Sequence, residues 1–150
     1  MNRQESINFG NHLRSMKDYS IVQRMMGQDH FSKWLGIEIT ENPASLPILK
    51  MQVRKEMLNG FGIAHGGITY ALADSALAFA SNCRGRHSVS IDTSISHVQK
   101  CEEGDVLTAE TEEIHCGNKT GLYNIVIRNQ QNQPVAYFKG TVYRKSKNWD

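Results

Sequence analysis

His65-Gly66-Gly67-Ile68-Thr69-Tyr70-Ala71-Leu72-Ala73-Asp74-Ser75-Ala76-Leu77-Ala78-Phe79-Ala80 is the stretch on which the fold turns. From Ile68 onward it is apolar on nearly all sides, and a helix with no face that gains from water has the rest of its domain wrapped around it. Asp74 sits in the middle of that run and is expected to be buried. An ionised carboxylate is costly to bury unless it is paired or hydrogen-bonded, so Asp74 has either a structural partner or a chemical use.

The start of the same helix supplies a complementary group. Gly66 and Gly67 carry no side chains to cover the first-turn N–H groups, which lack intrahelical acceptors and lie at the positive end of the helix dipole. A polarised carbonyl oxygen could accept from the Gly66 N–H while a carboxylate attacks the carbon or activates water, the usual division of labour in acyl transfer. One chain cannot supply both. Eight residues at a rise of 1.5 Å separate Gly66 from Asp74 by roughly 12 Å, whereas a reacting carbon needs both groups within about 3 to 4 Å of its attached atoms. If both act on one substrate, they come from different subunits.

Outward from the helix, the period of the sequence changes. Ile21-Val22 and Met25-Met26 repeat at helical spacing before Gly27 and predict an amphipathic helix. Leu35 to Glu41 reads as a short strand ended by Asn42-Pro43, and Ile48 to Lys55 alternates through Met51 and Val53 as a returning one. The central helix is expected to stop near Arg84-Gly85, where glycine suits a C-terminal cap. Beyond it Val89, Ile91, Thr93 and Ile95 alternate with polar residues. So do Leu107, Ala109 and Thr111, then Tyr123, Ile125 and Ile127, then Ala136, Phe138 and Val142. Gly104-Asp105, Gly117-Asn118 and Asn129 to Gln133 are short connections that suit successive antiparallel neighbours. One long helix on a curved antiparallel sheet is an α+β architecture.

Asn59-Gly60-Phe61-Gly62-Ile63-Ala64-His65-Gly66-Gly67, followed by Leu72-Ala73-Asp74-Ser75-Ala76, resembles the signature of hotdog-fold acyl-CoA thioesterases, in the branch typified by the phenylacetic acid degradation thioesterase. Lys119-Thr120-Gly121-Leu122-Tyr123 and the hairpin that runs through Asn129 to Pro134, with Ala136 to Arg144 beyond it, are also similar to that branch. The resemblance spans roughly Leu35 to Arg144. It implies a hotdog fold over residues 35–150, preceded by an N-terminal helical segment over 1–34, and hydrolysis of an acyl-CoA to a carboxylic acid and free CoA. It also implies a homodimer, doubled to a tetramer. Asp74 would be nucleophile or general base, Gly66 the carbonyl donor, His65 and Asn59 hydrogen-bonding groups at the site, and Ser75 a further candidate.

On the substrate side the expected contacts are Gly67, Phe61, Tyr70, Lys100, Lys119, Thr120, Gly121 and Arg144, the basic ones placed for the phosphates of coenzyme A. The chain departs from its relatives at one step, carrying His97-Val98-Gln99-Lys100 where they commonly have aromatic-Leu-Arg-Pro. Lys100 offers only a point charge in place of that arginine. No cofactor is implied, because coenzyme A is part of the substrate.

Each assignment has a plainer counterpart. Asp74 could be a structural acid held by a buried arginine, the two glycines could serve close packing, and His65 could be a satisfied polar residue. Asn59-Gly60 is foremost a turn signal, and a helical serine such as Ser75 commonly bonds its own backbone. Gly60 and Gly62 are mis-spaced for a dinucleotide fingerprint. Two rival activities share the scaffold: a non-catalytic acyl-CoA binding module, and a dehydratase acting on 3-hydroxyacyl thioesters.

At 150 residues the chain is long enough for one sizeable core. A formal charge of +2 with scattered basic residues and no aromatic-interleaved basic stripe gives no support to nucleic-acid binding. No apolar run is long enough to span a bilayer, and Met1 to Ser15 lack the apolar core of a secretory signal, so a cytoplasmic protein is expected. Cys83, Cys101 and Cys116 cannot all pair and are read as free thiols. His97 with Cys101, or His115 with Cys116, falls short of a metal-ligand set, and no metal is expected.

Overall fold

The computed structural model describes residues 19–40 and 46–150. The expected Asn42-Pro43 strand end and the polar first residues lie outside them. Helices α1 (residues 19–28) and α2 (His30–Leu35) precede β1 (Glu38–Thr40) and β2 (Ile48–Gln52). A 3-10 turn over Lys55–Met57 leads to α3 (Gly66–Asn82). Strands β3 (Arg86–His97), β4 (Val106–Cys116), β5 (Thr120–Arg128) and β6 (Pro134–Asn148) follow. The six strands form one antiparallel sheet in the order β1-β2-β4-β5-β6-β3, with α3 laid across it. This is the α+β arrangement expected, and the long helix against a wrapped sheet is that of a hotdog fold.

Two local expectations are corrected. Leu35 belongs to α2, because Asp29 Oδ1 accepts the Ser32 N–H at 2.9 Å and caps that helix, and Gly36 ends it in a left-handed conformation at φ 74°. The strand therefore begins only at Glu38 and is described as far as Thr40. Nor does the Gly104-Asp105 link join neighbours: β3 pairs with β6 at one end of the sheet, while β4 pairs with β2 and β5. The chain between His97 and Val106 crosses from that end, and Val53 fastens it by donating to Asp105 O and accepting from Gly104 N–H, both at 2.8 Å.

The inner face of α3 buries Leu72, Ala73, Ala76, Leu77, Phe79 and Ala80 against Leu107, Ala109, Tyr123, Ile125, Ile127, Phe138 and Val142. Each large apolar side chain so buried contributes about 1.5–3 kcal/mol. Close approach of helix and sheet depends on Gly140, where a Cβ would overlap Leu77 Cδ2 and stand 3.1 Å from Phe138 Cε1. Gly140 is paired on both sides, to Tyr123 and to Thr93, so its strand cannot retreat. Gly140→Ala should therefore destabilise the fold by about 1–3 kcal/mol through overpacking. An unchanged denaturant midpoint would show that Leu77 repacks freely.

Cys83 and Cys101 are buried and Cys116 is half-buried. Burial, then the nearby Asp105 charge, pushes the Cys101 thiol up to about 11. It stays protonated at neutral pH and is no nucleophile. Among the described residues, no helix is long and apolar enough to cross a membrane, and no group of three or more His, Cys, Asp and Glu is placed to hold a metal.

Candidate active site

The loop before α3 is built backbone-first. Leu58 pairs with Ala64, the Ala64 N–H donates to Cys101 O at 2.8 Å, and the His65 N–H donates to Met57 O at 2.9 Å. Asn59 closes the turn: its Oδ1 accepts from Phe61 N–H at 2.9 Å and Ile63 N–H at 3.4 Å. Its oxygen is thus committed locally, which leaves the carboxamide N–H groups for any outside partner. Phe61, at the tip, is 91 % exposed.

His65 is the N-cap of α3. Its Nδ1 accepts the Gly67 N–H at 2.9 Å, so in the neutral ring Nε2 carries the proton. The Gly67 N–H is therefore spent within the protein. Gly66 N–H has no acceptor among the described residues, and it is the donor left at the helix start.

Asp74 lies two turns further on. It is partly buried, not enclosed as expected, because the stripe of α3 formed by Gly67, Tyr70, Ala71, Asp74 and Ala78 is left uncovered or half-covered by the sheet. No described residue pairs with its carboxylate, and burial alone pushes its pKa up. The arginine close to the helix does not compensate it: Arg84 makes a bidentate pair with Glu113 at 3.1 and 3.2 Å, and the Tyr123 hydroxyl donates to the same carboxylate at 3.2 Å. A carboxylate held without a partner in a poorly solvated place is the kind of group that chemistry uses.

Ser75 turns away from that face. Its hydroxyl meets Ser32 Oγ at 3.0 Å, and Ser32 donates to Asp29 Oδ2 at 2.6 Å. Because the Ser32 proton is committed to Asp29, Ser75 is the donor of the pair. Its bond docks α2 on α3 and does not go to the backbone of its own helix. Tyr70 packs edge-on against Phe138 with ring centres 5.4 Å apart, and its hydroxyl bonds that of Thr93.

The basic residues do not form one mouth. His97 is in register with Ala136 and Ser88 with Arg144 along β3 and β6, so the Lys100 end lies eight strand residues, about 26 Å, from the Arg144 end. Lys100 is ion-paired with Glu102 at 2.6 Å. Lys119 is exposed beside Arg144, whose N–H donates to Lys119 O at 2.8 Å. The Arg144 guanidinium donates to Gly117 O, and its Nε is buried with no acceptor among the described residues. Thr120 is exposed, its carbonyl accepting the Gly117 N–H at 2.8 Å. A Cβ on Gly121 would stand 2.9 Å from Tyr123 Cε2, which makes this glycine a packing requirement.

Two residues outside the expected set stand at the helix start. Thr69 Oγ1 lies 2.7 Å from His97 Nε2 and donates to Gly66 O at 3.0 Å. The His97 ring stands 3.1 Å from the point a Cβ on Gly66 would occupy. Twenty-eight positions separate Thr69 from His97. No local pattern could join them.

The chain and its fold have known relatives. The model of the thioesterase superfamily matches residues 61–136. A protein of Archaeoglobus fulgidus is 39 % identical over 129 residues, covering 86 % of this chain and 80 % of that one. The acyl-coenzyme A thioesterase PaaI of Escherichia coli K12 is 37 % identical over 130 residues, 87 % of this chain and 93 % of its own. The solved structure of that PaaI protein, from the phenylacetic acid degradation operon, superposes with a TM-score of 0.86 over 89 % of this chain and 97 % of that chain. A Streptococcus mutans UA159 protein solved with acetyl CoA bound is 25 % identical, with a TM-score of 0.71 over 75 % of this chain and 91 % of that one. The chain belongs to the thioesterase superfamily. It is an enzyme, a thioester hydrolase with the hotdog fold.

Proposed function

We propose that the protein hydrolyses acyl-coenzyme A thioesters, with an aryl-acetyl, benzoyl or medium-chain acyl group, in sites shared between two copies of the chain. The observation that carries this is that one continuous helix bears a Gly66 N–H and an Asp74 carboxylate neither of which has a partner among the described residues. About 12 Å of that helix separates them, too far to meet at one carbonyl. The acyl-CoA thioesterase activity of the 37 % identical relative and the acetyl CoA bound to the Streptococcus mutans protein support the choice of substrate.

Two uncovered surfaces favour a second copy. One is the α3 stripe that carries Asp74. The other is the outer edge of β3, which among the described residues pairs only with β6 and carries Val89 45 % and Ile91 59 % exposed. Closing two such surfaces symmetrically gives a homodimer with two composite sites, which can double to a tetramer.

In each site the thioester oxygen accepts from Gly66 N–H, which draws charge from the carbonyl carbon. The His65 ring, fixed through Nδ1 by its cap bond, offers its Nε2–H to orient the thioester or water. The partner subunit's Asp74 then acts in one of two ways. As a base it takes a proton from water while the water oxygen bonds to the carbon. As a nucleophile it bonds to the carbon itself, and water cleaves the resulting anhydride. In both cases the C–S bond breaks, coenzyme A leaves as the thiolate and takes up a proton, and the acyl group leaves as the acid.

A panel of acyl-CoAs assayed for released thiol tests the reading. Hydrolysis of at least one aryl or medium-chain thioester, saturating in substrate, is expected. Tight binding with no thiol released from any member would leave a binding module instead. Formation of a double bond from a 3-hydroxyacyl-CoA would mark a dehydratase.

A further inference from the structure

Two successive glycines at the point where a carbonyl is to be polarised pose a physical problem. Glycine has the widest backbone freedom of any residue, and an N–H that wanders loses the fixed direction that makes it useful. The structure removes that freedom one peptide unit at a time. The carbonyl of the His65–Gly66 unit, the one bearing the Gly66 N–H, is held by Ile68 N–H at 2.9 Å. The next unit is clamped at both poles, its N–H by His65 Nδ1 at 2.9 Å and its carbonyl by Thr69 Oγ1 at 3.0 Å.

Proton accounting extends the clamp to β3. Thr69 has one hydroxyl proton and gives it to Gly66 O, so at the 2.7 Å contact His97 Nε2 must be the donor. The chain runs His97 Nε2–H to Thr69 O–H to Gly66 C=O, each bond polarising the next. Thr69 is buried, so this contact has little water to compete with it. The same ring lies against Gly66, its Cε1 3.1 Å and Nε2 3.5 Å from the point a Cβ would take. Gly66 thus has a wall on one side and a fastened carbonyl on the other.

We propose that His97 and Thr69 are positioning residues for thioester hydrolysis: together they fix the Gly66–Gly67 turn of α3 and so aim the Gly66 N–H at the reacting carbonyl. This rests on the reading of that N–H as the carbonyl donor. His97 acts through Thr69 and through van der Waals contact with Gly66, and the proposal requires no proton transfer from it.

Thioester-hydrolysis kinetics on folded protein, with 15N NMR of the histidine rings, tests this. Thr69→Val keeps the shape and removes the hydroxyl, and His97→Phe keeps a ring without the donor. Each should lower kcat about tenfold with KM nearly unchanged, a fraction of the hundredfold or more that follows outright loss of such a donor. Thr69→Ser and His97→Gln restore a hydroxyl and an N–H at the same places and should recover most of the rate. The double variant Thr69→Val/His97→Phe should be no slower than the slower single one, as for two links of one chain. Independently of turnover, the wild-type spectrum should show His97 protonated at Nε2, and Thr69→Val should shift the Gly66 amide resonance. Unchanged kcat in Thr69→Val, additive losses, or His97 protonated at Nδ1 would each overturn the proposal. A wild-type protein that hydrolyses no thioester would remove both this proposal and the reading beneath it, whereas wild-type turnover indifferent to Thr69→Val removes the proposal alone.

Discussion

Asp74→Asn should keep the fold and lower kcat by at least roughly a hundredfold, the lower range for loss of a positioned acid–base or nucleophilic group. The sign of the accompanying stability change separates a chemical role from a structural one. Burial raises the Asp74 pKa, and no cation or hydrogen bond among the described residues offsets this. A raised acid favours folding below its unfolded pKa and costs stability once the pH exceeds its folded value. At neutral pH the ionised carboxylate is therefore a cost, and the neutral amide escapes it. The variant should melt at the same temperature as the wild type or higher. A structural acid would behave in the opposite way, since breaking a buried ion pair from one side costs about 3 to 5 kcal/mol. The acid limb of the wild-type rate profile should also lie above the ordinary aspartate range. A marked fall in melting temperature with near-normal turnover would sink the assignment.

Mixing Asp74→Ala with Gly66→Pro protein should restore activity that neither possesses alone. Proline suits the first position of a helix and removes the N–H, and His65 at φ −61° and ψ 135° already has the conformation that a residue before proline prefers. A Cβ at this position would meet the His97 ring, at 3.1 Å. In a heterodimer one site combines an intact Gly66 with an intact Asp74, and the other lacks both. Free exchange makes half the dimers mixed, so about a quarter of wild-type activity should return if the sites are shared between subunits. Absence of recovery after exchange has been verified by native mass spectrometry, or full activity in a sedimenting monomer, would place the site within one chain.

Much of the fold was legible because hydrophobic periodicity is a local signal. The run Ile68 to Ala80 could be only a helix with the domain packed against it, though not on every side, and the alternation through Tyr123, Ile125 and Ile127 only a strand with one face inward. All three of those strand residues are fully buried. The failures also have a local cause. Leu35 read as a strand residue because one apolar side chain serves either element, and the Asp29 cap that decides the matter acts through a hydrogen bond. Val89 and Ile91 alternate with Thr93 and Ile95 as one face should, yet both are exposed: the register slips between Ser90 and Asp92, so Val89 stands beside the exposed Tyr143 while Thr93 and Ile95 stand beside Gly140 and Phe138 on the helix side, and a bulge leaves no mark in the alternation.

At the candidate site, the sequence by itself determined which groups have no local use: a carboxylate in an apolar helix, and two glycines at the start of that helix. It determined too that 12 Å of helix keeps them from one carbonyl, since helical rise is fixed by covalent geometry. The structure added the reason for preferring Gly66 over Gly67 as the donor, since the His65 ring two residues before Gly67 takes the Gly67 N–H. Only the tertiary structure turned Ser75 toward Ser32, set Lys100 and Arg144 at opposite ends of one strand pair, and brought His97 to Thr69. Those outcomes depend on strand register and on how α3 lies across the sheet. Register is fixed by the packing of many distant side chains together, and no short stretch of sequence carries it.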